Sequence, residues 1–338
     1  MCGISGYFGR NTIQKESILN TLNLMKNRGP DFAEHYTKAV SSNLAVYFLH
    51  SRLAIIDLHR RSNQPFIIGD YVLIFNGEIY NYIELKKHLE TKGVFTKTNS
   101  DTEILLRFYI MYGEKCVDYF DGMWSFAIFN QKKQTLFLSR DRFAEKPLYY
   151  YKDNKGIYFG SEVKFIKSLS KKTFSHNSKK INHFLSFGAR SIFKDNSSFY
   201  NEIKILEFSE NLSIDNSLKI IKKRYWKPKT KVNQKIDIDE TVDRGRNLLI
   251  NSMKLRMRSD VPTAFLLSGG VDSGGLASIA TKILNQKIKT FSIIDTDIKY
   301  NELKNIKKVT DDLNCESEII KISKNNFINK LQDLVAYH

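Results

Sequence analysis

The 338 residues are 42% apolar and 26% charged, with no apolar run near the ~18 residues of a membrane span, so the composition is that of a globular chain of about two domains. Three scattered cysteines, Cys2, Cys116 and Cys315, exclude a disulfide scaffold or a zinc cluster, and a start with no basic stretch and no long apolar stretch gives a cytoplasmic, reducing compartment as the expectation. The 53 basic and 36 acidic residues leave +17, but 39 of the bases are Lys and only 14 Arg, whereas base readers lean on Arg; the reading is a solvated basic surface and no nucleic-acid partner.

In chain order, an amphipathic helix is predicted first, with Ile18, Leu19, Leu22 and Met25 on one face. Strands are predicted over residues 43–49, 53–58 and 71–76, then a helix over 101–112 with Ile104, Leu105, Phe108 and Ile110 at helical spacing. Further strands follow over 124–130, 135–139 and 148–152. Many strands and few helices suggest stacked antiparallel sheets flanked by helices. Residues 206–237 lose this pattern, and Lys227-Pro-Lys-Thr-Lys-Val-Asn-Gln-Lys235 reads as an interdomain linker. Beyond it the rhythm changes to helix 239–256, strand 263–267, a Gly-rich turn, helix 273–284, strand 288–294, helix 301–313, strand 317–322 and a last helix from 325. Strand–helix alternation of this kind marks a doubly wound parallel sheet. The expected organisation is therefore a domain over 1–205, a linker over 206–237 and a second domain over 238–338.

Cys2 becomes residue one once Met1 is removed. A terminal cysteine joins a thiol and an α-amine on one residue. The amine is partly unprotonated at neutral pH, so it can take the thiol proton and later hand it to a leaving amine.

Six segments occur in order: Met1-Cys2-Gly3-Ile4, Arg28-Gly29-Pro30-Asp31, His50-Ser51-Arg52-Leu53-Ala54-Ile55-Ile56-Asp57, Asn76-Gly77-Glu78-Ile79-Tyr80-Asn81, Ser100-Asp101-Thr102-Glu103 and Asp121-Gly122-Met123. Together they resemble the glutaminase domain of the class II glutamine amidotransferases, and are most similar to asparagine synthetase (glutamine-hydrolysing). The resemblance extends through Arg140-Asp-Arg-Phe-Ala-Glu-Lys-Pro-Leu-Tyr-Tyr150 and Phe159-Gly-Ser-Glu-Val-Lys164 to Arg224-Tyr-Trp226. It implies an N-terminal-nucleophile (Ntn) hydrolase α/β/β/α sandwich in which Cys2 attacks glutamine. By the same resemblance Arg52, Leu53, Ala54, Ile55, Ile56, Asn76, Gly77, Glu78 and Asp101 hold the substrate. Arg52 offers a planar fork for the α-carboxylate. Asp101 and Glu78 offer negative charge to the α-ammonium. The Asn76 amide and the Gly77 N–H would stabilise the oxyanion.

Leu266-Leu-Ser268-Gly269-Gly270-Val271-Asp272-Ser273 sits between a predicted strand and a predicted helix. Glycines let the backbone approach a pyrophosphate, and a helix N-terminus attracts its charge. The segment resembles the PP-loop of ATP pyrophosphatases. The resemblance implies ATP as substrate, accompanied by Mg²⁺, bound by Leu267, Ser268, Gly269, Gly270, Asp272, Ser273 and Ile293; no protein-held metal site is expected. The implied partners are L-glutamine, ATP and L-aspartate or another carboxylate, with a homodimer left open.

The family continues well beyond the PP-loop, so the second domain reads as a partial one. Gly274 stands where a second serine is common, Asn301 where Asp is usual, and Ala144 where glycine is common. Three other readings stay open. One is a related enzyme amidating another carboxylate, such as a sugar acid. A second is the phosphoribosyl-pyrophosphate amidotransferase class, against which Ser268-Gly-Gly-Val-Asp-Ser273 argues. The third is a decayed basic binding protein.

Overall fold

In the computed structural model, which describes every residue except 42, 190–194, 231–236, 296, 298, 300, 322–326 and 338, the chain divides into two units, Met1–Thr230 and Lys231–His338. The first runs β1 (Gly3–Gly9), α1 (Lys15–Met25), β2 (Phe32–Ser41), β3 (Leu44–Arg52), β4 (Phe66–Ile68), β5 (Tyr71–Ile79), α2 (Tyr82–Thr91), α3 (Asp101–Tyr112), β6 (Gly122–Asn130) and β7 (Thr135–Arg140). It continues with β8 (Tyr149–Lys152), β9 (Gly156–Gly160), α4 (Val163–Ser170), α5 (Ser178–Phe187), β10 (Lys204–Ile205), β11 (Glu210–Ile214) and β12 (Ile220–Arg224). The strands form two six-stranded antiparallel sheets, ordered β10-β8-β9-β1-β3-β2 and β12-β11-β7-β6-β5-β4.

Three apolar layers hold these sheets. Between them, Ile4, Phe8, Val46 and Phe48 of the first meet Val72, Ile74, Ala127 and Phe129 of the second. On the outer face of the first sheet, Tyr7, Tyr47 and Leu49 pack on Ile18 and Met25 of α1 and Phe165 and Ile166 of α4. On the outer face of the second, Phe75, Phe126 and Ile128 pack on Leu85 and Leu89 of α2 and Ile104, Leu105 and Phe108 of α3. The result is the α/β/β/α sandwich that the resemblance implies. Both faces of the central strands are buried, so β3 and β6 read as nearly continuous apolar runs instead of alternating ones.

Several expectations are corrected. Leu19 is 51% exposed and Ile110 40%, because each lies on the side of its helix away from the buried stripe. β2 was not predicted: it is an edge strand, mostly exposed and polar, ordered by its pairing with β3. The expected linker from 206 is overturned up to Arg224, since Glu210–Ile214 pairs with β7 and with Ile220–Arg224. The basic cluster there lies on the edge strand β12, where charged side chains discourage pairing with another chain. Lys222 is 3.6 Å from Glu210 and lies over the Tyr150 ring, and Arg224 pairs with Glu207. Of the rest of the expected linker, residues 231–236 lie outside the described residues, as do Tyr300, Ile322, Asn325 and His338.

The second unit comprises α6 (Ile238–Arg256), β13 (Ala264–Leu266), α7 (Val271–Ser278), β14 (Lys289–Ile294), α8 (Leu303–Leu313), β15 (Glu316–Lys321) and α9 (Phe327–Tyr337). Its strands form a parallel sheet, ordered β13-β14-β15, as the alternation predicted. Among the described residues no helix is long and apolar enough to cross a membrane.

Candidate active site

Cys2 lies immediately before β1, whose pairing with β3 and β9 fixes the start of the chain. Arg28 Nε donates to the Cys2 carbonyl at 2.9 Å, and Arg28 Nη1 bonds Glu162 Oε1 at 2.9 Å. Ile4 exchanges bonds with Ser161, its N–H to the hydroxyl at 3.1 Å and its carbonyl with the Ser161 N–H at 2.9 Å. The Arg28 and Glu162 motifs thus clamp the residue that precedes β1. The Leu53 N–H donates to Cys2 Sγ at 3.4 Å. Burial pushes the thiol above its usual range, and the Leu53 N–H opposes that shift. Burial also lowers the terminal ammonium, here that of Met1.

One pocket brings Cys2 together with Met1, Arg52, Asn76, Gly77, Glu78, Asp101 and Lys146. Asn76 and Gly77 lie on β5 opposite Ser125 and Trp124. Gly77 is required there: a Cβ would fall 2.1 Å from the Met123 carbonyl oxygen. Asn76 is completely buried, and neither its Nδ2 nor its Oδ1 has a hydrogen-bond partner. A buried amide left unpaired costs the fold about 1–3 kcal/mol. The residue also lines the pocket.

Glu78 follows on the same strand. Asp101 opens α3, where Ser100 caps the helix by accepting the Thr102 N–H at 3.1 Å. The cap is made by Ser100, so Asp101 is free to accept the Ile79 N–H at 3.0 Å and to face the pocket. Burial, then the neighbouring Asp101, raises the Glu78 carboxyl to about 7. Burial raises Asp101 to about 6 against the bonds it accepts from Ile79 and Thr102. The two carboxyls line one pocket, and Asp101 is one of the groups that raise Glu78.

The predicted strand over 53–58 is a loop, and Arg52 is the reason. Its buried guanidinium draws backbone carbonyls inward. Nη1 donates to His59 O at 3.1 Å and Asn63 Oδ1 at 2.6 Å, and Nη2 donates to Ile56 O at 3.3 Å and to Asp57 O. All four Nη–H donors are directed at this loop, so the fork expected to face a substrate carboxylate is occupied; Nε remains. Leu53, Ile55 and Ile56 line the pocket, while Ala54 does not: its N–H is held by Asp31 Oδ2 at 2.7 Å.

Two residues without an assigned role in the sequence reading support the pocket. His50 Nε2 donates to the Phe75 carbonyl at 3.1 Å, tying β3 to β5 one residue before Asn76. Burial holds this imidazole neutral, with its pKa lowered to about 3. Its signal in the sequence is its place two residues before Arg52, on the same strand face. Lys146, 5% exposed, reaches the pocket from the loop after β7. In that loop Ala144 has φ +57, a left-handed conformation that costs an L-residue about 1–2 kcal/mol. Ala144→Gly is expected to raise stability by about 0.5–1 kcal/mol, once the extra freedom of unfolded glycine is subtracted, read as a higher urea midpoint at unchanged slope.

In the second unit, Ser268, Gly269 and Gly270 form the turn between β13 and α7. Gly269 has φ +77, and a Cβ there would lie 3.1–3.3 Å from Asn305 and Ile306. Ser273 Oγ accepts the Ser268 N–H at 3.2 Å and lies 3.1 Å from Ser268 Oγ. Asp272 is exposed in the first turn of α7. Ile293 is exposed on β14, but the Leu267 side chain is buried against Ile294 and Ile306, so only its backbone could reach a ligand. Among the described residues no group of three or more His, Cys, Asp or Glu side chains could hold a metal ion.

The glutamine amidotransferase domain family matches residues 1–226, and the asparagine synthase family matches residues 244–338. A relative from Methanocaldococcus jannaschii, named for asparagine synthetase, is 36% identical over 331 residues, 92% of this chain and 63% of its own length. Asparagine synthetase (glutamine-hydrolyzing) 1 of Bacillus subtilis is 33% identical over 342 residues, 99% of this chain and 52% of that one. The chain thus spans about half to just under two thirds of the length of these relatives. A solved glutamine phosphoribosylpyrophosphate amidotransferase from B. subtilis is 14% identical with a TM-score of 0.49, covering 98% of this chain and 70% of that one.

Proposed function

We propose, for a chain that belongs to the class II glutamine amidotransferases of the asparagine synthetase family, that the first unit hydrolyses L-glutamine to L-glutamate and ammonia at Cys2. One observation carries the reading: Cys2, the terminal residue once Met1 is removed, shares a pocket with a buried amide that has no partner and with two carboxylates. After Met1 removal the Cys2 α-amine takes the thiol proton, and the thiolate attacks the glutamine amide carbon. The oxyanion is received by Asn76 Nδ2 and the Gly77 N–H. Collapse breaks the C–N bond, and the amine's proton leaves with ammonia. Water then cleaves the Cys2 thioester to glutamate. Glu78 and Asp101 hold the substrate α-ammonium, and Leu53 N–H stabilises the thiolate.

The second unit, on this reading, contributes the start of a site that adenylates a carboxylate with ATP. Ammonia then gives the amide, AMP and pyrophosphate. L-Aspartate is the proposed carboxylate, from the names of the relatives. The turn through Ser268, Gly269, Gly270 and Ser273 would face the nucleotide phosphates, with Asp272 beside them. Mg²⁺ would accompany the nucleotide.

The test is glutamate release by chain whose Met1 removal is verified by mass, without ATP. No release from such chain would refute the reading. Its pH dependence is also fixed. Glu78 gives up its proton near 7 and Asp101 near 6, so binding of the α-ammonium weakens as pH falls through that range. KM for glutamine should rise by up to about tenfold per pH unit below 7, the slope of a single proton. Glu78→Gln should show a high KM that depends much less on pH.

A further inference from the structure

Lys146 has no part in the steps above, yet its backbone is held on both sides. Asp141 Oδ2 accepts its N–H at 3.0 Å, and Arg140 Nε donates to its carbonyl at 2.7 Å. Both holders are buried. Asp141 also accepts the N–H groups of Trp124, Phe143 and Glu145, and Arg140 also donates to Ala144 and Leu206. Pro147 follows and further restricts the Lys146 backbone. A frame tied at so many points presents one side chain in one place.

That side chain ends in a poor match. Lys146 Nζ, in a residue only 5% exposed, donates to Met1 Sδ at 3.3 Å. A thioether is a weak acceptor for a buried ammonium. Removal of Met1 takes even that partner away and leaves the cation facing the new terminus.

We propose that Lys146 is a positioning residue that acts on Cys2 through its charge: with Met1 gone, its buried ammonium favours the thiolate and the unprotonated amine, the two forms that attack requires. The surroundings need such a cation. Glu78 from β5 and Asp101 from α3 face the same pocket, and negative charge pushes both groups of Cys2 toward their protonated forms. Arg28 also faces the terminus, but Glu162 is bound to it. Arg52 faces Cys2 but is bound to its own loop. Glu145 is on the same loop as Lys146 and is exposed. Lys146 shares the pocket with Glu78, whose charge acts on it.

The proposal borrows from the glutaminase reading only the use made of the thiolate, so its test reads Cys2 directly. Full-length chain lacking Met1 is alkylated with iodoacetamide across pH, and the adduct on Cys2 is counted by mass. The wild-type midpoint is the reference for the variants. Lys146→Met should move it up by about one pH unit, a loss of about tenfold in alkylation at pH 7, and Lys146→Arg should restore it. If Lys146→Met does not fold, Lys146→Gln makes the same test. An unmoved midpoint in the uncharged variants, or a shift in Lys146→Arg as large as in Lys146→Met, would each overturn the proposal. A lysine that merely packs would lower activity without moving the midpoint. Glutamate release with an unmoved midpoint sinks this inference alone. A shifted midpoint without glutamate release sinks the glutaminase reading and leaves this inference standing.

Discussion

Cys2→Ala should remove glutamine hydrolysis by a factor of about 10⁴ or more while leaving the fold in place. The first half of that expectation follows from the lack of a substitute. Cys116, the other cysteine of the first unit, is buried inside the layer beneath α3, so it cannot form the thioester. The second half follows from how Cys2 is held. The chain start is fixed by backbone groups: Arg28 on the Cys2 carbonyl, Ser161 on Ile4, and the pairing of β1 with β3 and β9. The sulfur itself makes only long contacts with Leu53, at 3.4 and 3.6 Å. Losing them should cost well under 1 kcal/mol, since each is at best a weak bond. The measurement is glutamate release beside a thermal melt. Full activity in Cys2→Ala would end the proposed mechanism. A chain that retains Met1 should behave like this variant, because its Cys2 nitrogen is an amide and cannot take the thiol proton.

Why was this half of the site legible in the sequence, and its support not? Cys2, Asn76, Gly77, Glu78 and Asp101 carry their chemistry in residue type, and their neighbours mark them. A terminal thiol, an Asn-Gly pair and an acid after a capping serine each limit what the position can do. Lys146 and His50 are ordinary residue types whose roles come from burial and from what the fold sets against them. Their partners, Met1 and Phe75, are 145 and 25 residues away. Arg52 shows what residue type alone leaves out. Its type suits a carboxylate, but a buried guanidinium must satisfy five donors, and the 53–63 loop supplies the acceptors first. The same demand explains why Leu53, Ala54, Ile55 and Ile56 are no strand despite their apolar run: their segment wraps a cation. At β12 the error is one of composition. An exposed edge strand gains from charge, so Lys222, Lys223 and Arg224 look like a linker to any reading that expects strands to be apolar.

Asn76→Ala should lower kcat by about 10²–10³ and leave stability within about 1 kcal/mol of the wild type, with any change able to favour the variant. The two effects separate because the amide serves no purpose in the fold. Its Nδ2 and Oδ1 are buried without partners, so the folded state carries a desolvation cost that the unfolded chain escapes. Removing the amide ends that cost, and the space left opens to the pocket instead of becoming a sealed cavity. The transition state loses a donor that was already in place and dry, which is where a hydrogen bond to a developing oxyanion is worth most. KM should change little, because the ground-state carbonyl gains less from the same donor. Asn76→Asp is the sharper variant. It keeps the shape but sets a carboxylate beside Glu78 and Asp101 in the same pocket, so it should lose stability as well as activity, and recover part of the stability as pH falls and the acids protonate. A kcat within threefold of wild type in Asn76→Ala would show that the oxyanion is stabilised elsewhere. A large loss of stability there would show that the amide has partners in the fold after all. Activity down and stability held is the pattern only a residue kept for the reaction produces.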